Sequence, residues 1–448
     1  RSRGAMAILQ PGVVGVVGDR PVSRGQSALP RCRARLGARR TRPSAGAAAP
    51  ELALAGLAPG LVALVARRSR RSRRRPLPRQ SLATEESDDA WYFRAYDRVA
   101  THREMLVDTV RTEAYRKAIF ATCRDKVVLD VGCGTGILSL FAAQAGAKKV
   151  ISVEGSIKAA AFAQTAVERN GLTNRITVIH GRLEDASTLA EVDAQLGLAS
   201  SEDTPAARAR RQVVDVIVSE WMGYMLVHEQ MFASVALARD RWLAPGGTMI
   251  PFGCSIWAAP FCGAEIIEDV TDFWYVEQYG LDLSHMADAA LREEVLLRPV
   301  IDDVEQGNLL APPQRLWRLR CDSASAADQS EQHLRFGFVL DRSIPLHGLA
   351  VWFRCGLAKG IGFSTGPEAE PTHWAQTLLY TTAPDGLAVA QGDELQGELS
   401  WEAADRGMII RLDGMVEVRG NMEDPANGPA KLPFAAEYNW NLKEMSGR

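Results

Sequence analysis

At 448 residues the chain exceeds one ordinary domain, and two or three are expected. Hydrophobic residues make up 46% and charged ones 24%, the proportions of a soluble globular protein, which excludes disorder throughout. The net charge of −2 hides a split: residues 1–80 hold 18 Arg, no Lys and only Asp19 and Glu51, a charge of +16, so the remainder carries −18 and should attract cationic partners over distance.

The first 86 residues read as a basic, Arg- and Ala-rich disordered tail or targeting segment. Poverty in acids fits an organelle transit sequence. The run Arg67 to Arg75 fits equally a nuclear-import or RNA-contacting tract. The apolar stretch Leu52 to Ala66 is broken by Pro59-Gly60 and falls short of the roughly 20 residues a membrane span needs, so no span is expected. Seven Cys without a CxxC pair and seven His without zinc-ligand spacing predict neither a disulfide framework nor a metal.

Ordered sequence is expected from about residue 87. Apolar positions at helical spacing between Asp89 and Phe120 (Met105, Leu106, Val110, Tyr115, Ile119) predict two helices. Lys126 to Val131 reads as a buried parallel strand, followed by Gly132-Cys-Gly-Thr-Gly136 and a helix from Ile137 to Ala145. Lys149 to Val153 predicts a second strand ending in Glu154, Ser156 to Asn170 a helix closed by Gly171, and Arg175 to Ile179 a third strand. Residues 187–211 interrupt this rhythm and read as a surface insertion. The sheet resumes at Val213 to Val218, and Leu243-Ala-Pro-Gly-Gly247 reads as a turn into another strand. Strands alternating with helices predict an α/β, doubly wound parallel sheet over residues 87–250. After about Pro251, alternating segments such as Leu334 to Val339 and Met408 to Leu412 predict a second domain, 251–448, built as an antiparallel β-barrel or sandwich.

Two features carry chemistry. Where the first strand meets its helix, Asp130-Val-Gly132-Cys-Gly134-Thr-Gly136 allows close backbone approach to a ligand at a helix N-terminus. Its G-x-G-x-G spacing is not the dinucleotide fingerprint. Glu154, at the end of the next strand, is placed to accept hydrogen bonds from both hydroxyls of a ribose. Together they favour S-adenosylmethionine over NAD, against the alternative of a plain glycine turn. Past the fourth strand, Glu220 and Glu229 stand nine residues apart around a Gly-containing loop. Two paired carboxylates suit a planar guanidinium; the alternative is two solvated loop acids.

The motifs Tyr92-Phe-Arg-Ala-Tyr96, Val128 to Gly136, Ser219 to Met231 and Thr372-His-Trp374 together resemble the protein arginine N-methyltransferases over residues 87–440. The likeness is greatest to the type I branch, which makes asymmetric dimethylarginine, and within it to the sixth, nuclear and histone-methylating subfamily. It implies a Rossmann-like S-adenosylmethionine-dependent domain followed by a β-barrel with a helical dimerisation arm near 270–290, and hence a homodimer. It implies that Glu220 and Glu229 clamp the substrate guanidinium and that His373 pairs with Asp108. It further assigns Tyr96, His102, Met105, Arg111, Asp130, Gly132, Gly134, Gly136, Glu154 and Glu184 to the cofactor site. Met105 also shapes the type I pocket with Met231, and Trp374 belongs to the substrate pocket. Histone tails and RG-rich proteins are the substrates the resemblance implies, in nucleus or cytoplasm, with RNA contact by the tail a further expectation. The chain departs from the pattern at Arg103, Gly155 and Ala375. The competing readings are a methyltransferase for another substrate and a catalytically silent RNA-binding regulator.

Overall fold

The computed structural model describes residues 88–198, 212–381, 385–404, 406–418 and 430–441. The basic tail and the apolar stretch within it lie outside the described residues, as does 199–211. Three helices, rather than the two expected, precede the first strand: α1 (Asp88–Tyr96), α2 (Val99–Val107) and α3 (Thr109–Thr122). Asp108 makes the division. Its backbone leaves the helical region, and its carboxylate accepts from the Arg111 amide at 2.9 Å, capping α3.

Five parallel strands follow, β1 (Val127–Val131), β2 (Lys149–Glu154), β3 (Ile176–His180), β4 (Val214–Val218) and β5 (Leu243–Ile250), in the order β3-β2-β1-β4-β5. Helices α4 (Ile137–Gln144), α5 (Ile157–Arg169), α6 (Ala186–Gln195) and α7 (Phe232–Trp242) alternate with them. The order reverses at β1, so the crevice outside its carboxyl end, where doubly wound sheets bind ligands, is where the glycine turn emerges.

Two expectations need correction. The expected insertion does not begin at 187, because α6 occupies its first part with Thr188, Val192 and Asp193 buried. Asp193 accepts from the Trp242 indole at 2.7 Å and from Arg241 at 2.5 Å, stitching α6 to α7. An alanine-rich helix with scattered polar residues and a polar insertion look alike in composition. Leu243 to Gly247 is also no turn between elements: it belongs to β5, where Gly246 at φ +77° and a register shift opposite Val214–Val216 form a bulge.

From Gly253 onward the strands pair antiparallel. Six of them, β6 (Gly253–Phe261), β7 (Val300–Asp302), β8 (Gln314–Arg320), β10 (Gly348–Ala358), β11 (Ile361–Ser364) and β12 (Gln376–Tyr380), form a sheet ordered β7-β12-β10-β6-β8 with β11 on β10. The other four, β9 (Glu331–Val339), β13 (Glu394–Ala404), β14 (Gly407–Val418) and β15 (Ala430–Trp440), form a second sheet ordered β15-β14-β13-β9. Alternation along β6 divides its burial: Cys254, Ile256 and Ala258 join the main core, whereas Ala259 and Phe261 join a second cluster with Trp352 and Tyr380. Ile266, Ile267 and Val270 of helix α8 (Ala264–Tyr275) cover that second cluster. Beyond it Phe273, Tyr275, Val276, Tyr279 and Leu281 are exposed. No helix among the described residues is long and apolar enough to cross a membrane.

Replacing Asp193 by Ala should cost about 2–3 kcal/mol in urea unfolding, since it strands a buried indole N–H and a guanidinium. A change below about 0.5 kcal/mol would show α6 to be dispensable to the fold.

Candidate active site

Residues at the ends of four strands and from five helices converge on one cleft of about 980 Å³, part of it open to solvent. Gly132, Cys133, Gly134 and Thr135 form its floor, with Glu154 at the end of β2 and Glu184 beyond β3. Tyr92, Phe93, Tyr96, His102 and Met105 come from α1 and α2, and Arg111 from α3.

The floor is built for close approach. Gly132 and Gly134 hold φ of +73° and +55°, the left-handed region that glycine enters without strain. A Cβ at Gly132 would lie 2.2 Å from the Met231 methyl carbon. Glu154 accepts from the amides of Gly134 and Ser156, both at 2.7 Å. Burial raises its pKa despite those two donors. Gly155, one of the departures from the family pattern, leaves room for Phe93: a Cβ there would come within 2.3 Å of the ring.

The two loop acids are held by different partners. Glu220 receives Arg111 at 2.9 Å and lines the cleft. Glu229 receives the Tyr96 hydroxyl at 3.0 Å and sits in a loop where Met225, Leu226, Glu229 and Gln230 all have positive φ. Such strain at non-glycine residues persists only where surroundings fix it. Burial pushes the Glu229 carboxyl up to about 7, with the Tyr96 hydroxyl acting against the shift and the charge of Glu220 adding to it. Arg111 therefore touches the acid that sequence places in the clamp, while its own Nε is buried without a partner.

His373 meets Asp108 at 2.7 Å, so one carboxylate ties the barrel segment to the cap of α3. Trp374 is buried and donates to the Met222 carbonyl at 3.0 Å; it anchors the acidic loop from behind rather than lining the cleft. His102 is buried, its Nε2 2.7 Å from the Tyr96 carbonyl, and burial lowers its pKa. Met105 and Met231 both line the cleft, and Tyr92 donates to the Met231 sulfur at 3.8 Å. Two residues expected at the cofactor lie elsewhere. Asp130 turns inward to Ser139 at 2.6 Å, burial pushing its carboxyl up to about 7. Gly136 has φ +82° and lets α4 approach Ala163 of α5. Among the described residues no group of three or more His, Cys, Asp or Glu could hold a metal.

Residues 253–413 match the arginine methyltransferase oligomerization subdomain, and residues 116–219 match ribosomal protein L11 methyltransferase. The chain is 34% identical over 368 residues to the probable protein arginine N-methyltransferase 6 of Arabidopsis thaliana, spanning 72% of this chain and 78% of that protein. To protein arginine N-methyltransferase 6 of Danio rerio it is 37% identical over 346 residues, spanning 74% and 90%. The chain belongs to the protein arginine N-methyltransferases. Its fold matches the solved Trypanosoma brucei PRMT1 enzyme-prozyme heterotetrameric complex with AdoHcy, at TM-score 0.59 and 30% identity over 76% of this chain and 99% of that one.

In this arginine methyltransferase the cleft also contains residues the sequence did not single out. Arg406, from the β13–β14 turn, lines it and donates to Asp89 at 2.7 Å. Arg182 pairs with the other oxygen of Asp89 at 2.6 Å. An Arg followed by Gly in the sequence carries no signal for such a role.

The raised carboxyl of Glu229 gives a linkage with a definite sign. The folded state keeps the proton until about pH 7, whereas an ordinary Glu loses it near 4.5, so this group's contribution to stability falls as pH rises between those values. Glu229→Gln should match the parent near pH 4 and exceed it by about 1–3 kcal/mol near pH 8 in urea titrations. Equal stability at both would mean that Glu229 ionises as a solvated acid.

Proposed function

We propose that this arginine methyltransferase, whose methyl donor is S-adenosylmethionine, is a type I enzyme that forms monomethyl- and then asymmetric dimethylarginine on histone tails and RG-rich proteins. The observation that carries the reading is the convergence of Glu220, the glycine turn and Glu154 on one cleft, with Glu229 held against its α1 wall through Tyr96. The residues fit the donor: bare backbone at Gly132 and Gly134 admits a flat ligand, and Glu154 stands where a ribose diol would meet it. Bound there, S-adenosylmethionine supplies a methyl group on a positively charged sulfur.

Glu220 and Glu229 bind and orient the substrate guanidinium. A free guanidinium is a poor nucleophile because its charge is delocalised and its pKa is about 13. Two carboxylates on one side draw the positive charge toward the nitrogens they hold and leave electron density on the third. Holding that nitrogen about 3–3.5 Å from the methyl carbon supplies much of the acceleration. Arriving positive charge also lowers the proton affinity of Glu229, so substrate binding itself ionises the clamp. The His373–Asp108 pair and the α3 cap share one carboxylate, which positions Arg111 and, through it, Glu220. The displaced proton leaves through a glutamate or this pair.

Met105 and Met231 support asymmetric product: flexible, unbranched side chains at the cleft wall leave room for a monomethylated nitrogen to be presented again. The exposed apolar residues of and after α8 support a homodimer, and the Arg67–Arg75 run supports a nuclear or cytosolic location.

Labelled-methyl assays with a histone-tail peptide, an RG-rich peptide and an RNA should label both peptides and not the RNA. Mass spectrometry should find asymmetric dimethylarginine; only monomethyl or symmetric product refutes the type I assignment. Glu229→Gln should lower turnover at least about 10³-fold while S-adenosylhomocysteine binding stays within about threefold, as expected of a group that acts on the substrate in the transition state.

A further inference from the structure

We infer that Arg406, at the tip of the β13–β14 hairpin, is a positioning residue that latches α1 over the cleft and fixes Glu229 in its strained backbone conformation. The inference rests on the methyltransferase reading of the cleft and adds a residue outside every motif that led to it.

Arg406 holds Glu229 at both ends of its peptide unit. The Glu229 amide donates to the Arg406 carbonyl at 3.0 Å, and Nη1 of Arg406 donates to the Glu229 carbonyl at 3.0 Å. Glu229 has φ +79°, a conformation that costs a non-glycine residue about 1–2 kcal/mol, so this two-sided grip is what keeps the carboxylate aimed. The same guanidinium reaches α1. Its Nε donates to Asp89 at 2.7 Å, and its Cζ lies over the rings of Tyr92 and Phe93, 4.5 Å and 5.8 Å from their centres. Arginine alone combines a forked pair of donors with a flat face that stacks on aromatic rings. The far end of α1 is tied separately, by Asp97 accepting from Ser156 at 2.7 Å. The hairpin thus governs the N-terminal half of α1, and with it the setting of Tyr92 against Met231.

The test compares Arg406→Ala and Arg406→Lys with the parent in the full chain. Without ligand, hydrogen exchange of the α1 amides should quicken at least about tenfold in Arg406→Ala and nearly as much in Arg406→Lys, while the β13–β14 ladder stays protected. For a peptide substrate, kcat should fall about 10–100-fold with KM changed less, the pattern of a misaimed rather than a missing group. The acidic limb of the kcat/KM profile should also move upward. The groups facing Glu229 are Tyr92 and Tyr96 from α1, Glu220 from its own loop and Arg406 from the hairpin; in Arg406→Ala only the cation is lost. A residue that merely supports the fold would lower the melting temperature without moving exchange in α1 or the acidic limb, and that result overturns the latch. Should the Lys variant restore parental exchange and kcat, the forked geometry is refuted. A parent that methylates no peptide refutes the proposed function, whereas exchange in α1 still decides the latch.

Discussion

In the proposed guanidinium clamp, two acids must be kept close in a half-dry loop before a cation arrives between them, and much of the cleft can be understood as a response to that constraint. Glu220 is given a permanent counter-charge in Arg111. Glu229 takes a neutral hydroxyl from Tyr96, and the Arg406 cation offsets its burial only in part, so it keeps its proton to about pH 7. The free protein thereby avoids the full cost of a doubly ionised pair. Under the proposed function, this asymmetry leaves one acid ready to gain charge when a guanidinium binds.

The supporting shell serves the same end. Trp374 fixes the loop through the Met222 carbonyl, Tyr115 donates to the Ser219 carbonyl at 3.0 Å, and the hairpin tip grips Glu229. Three different parts of the chain thus hold one short loop, which explains how four non-glycine residues there tolerate positive φ.

The parallel sheet was legible because its strands are continuous apolar runs broken by glycine, and because Glu154 closes one of them. Glu154 could be placed because it ends the strand that follows the glycine turn. The third N-terminal helix was less visible: Asp108 reads as one polar residue in a helical run until its carboxylate is seen capping α3. Helix α6 was hidden by composition, since Ala and Glu serve helix and insertion equally. Asp130 was assigned to the cofactor by its neighbours in sequence, yet its strand position points it inward to Ser139. Arg406 had no local signature at all, because its role depends on partners 177 and 317 residues away. Periodicity reports which face of an element is buried; it does not report what a distant hairpin will touch.

That separation bears on the order in which the molecule is put together. Chains emerge from the ribosome N-terminus first, and early units can fold before later ones exist. The strands and glycine turn that precede Ile250 make their sheet contacts among themselves, so the donor pocket can form early. The backbone of Glu229, in contrast, has its two anchoring hydrogen bonds only once the hairpin around residue 406 is made. If Glu229 acts as proposed, a nascent or truncated chain would own a floor for its donor and no aimed acid until the last sheet closes.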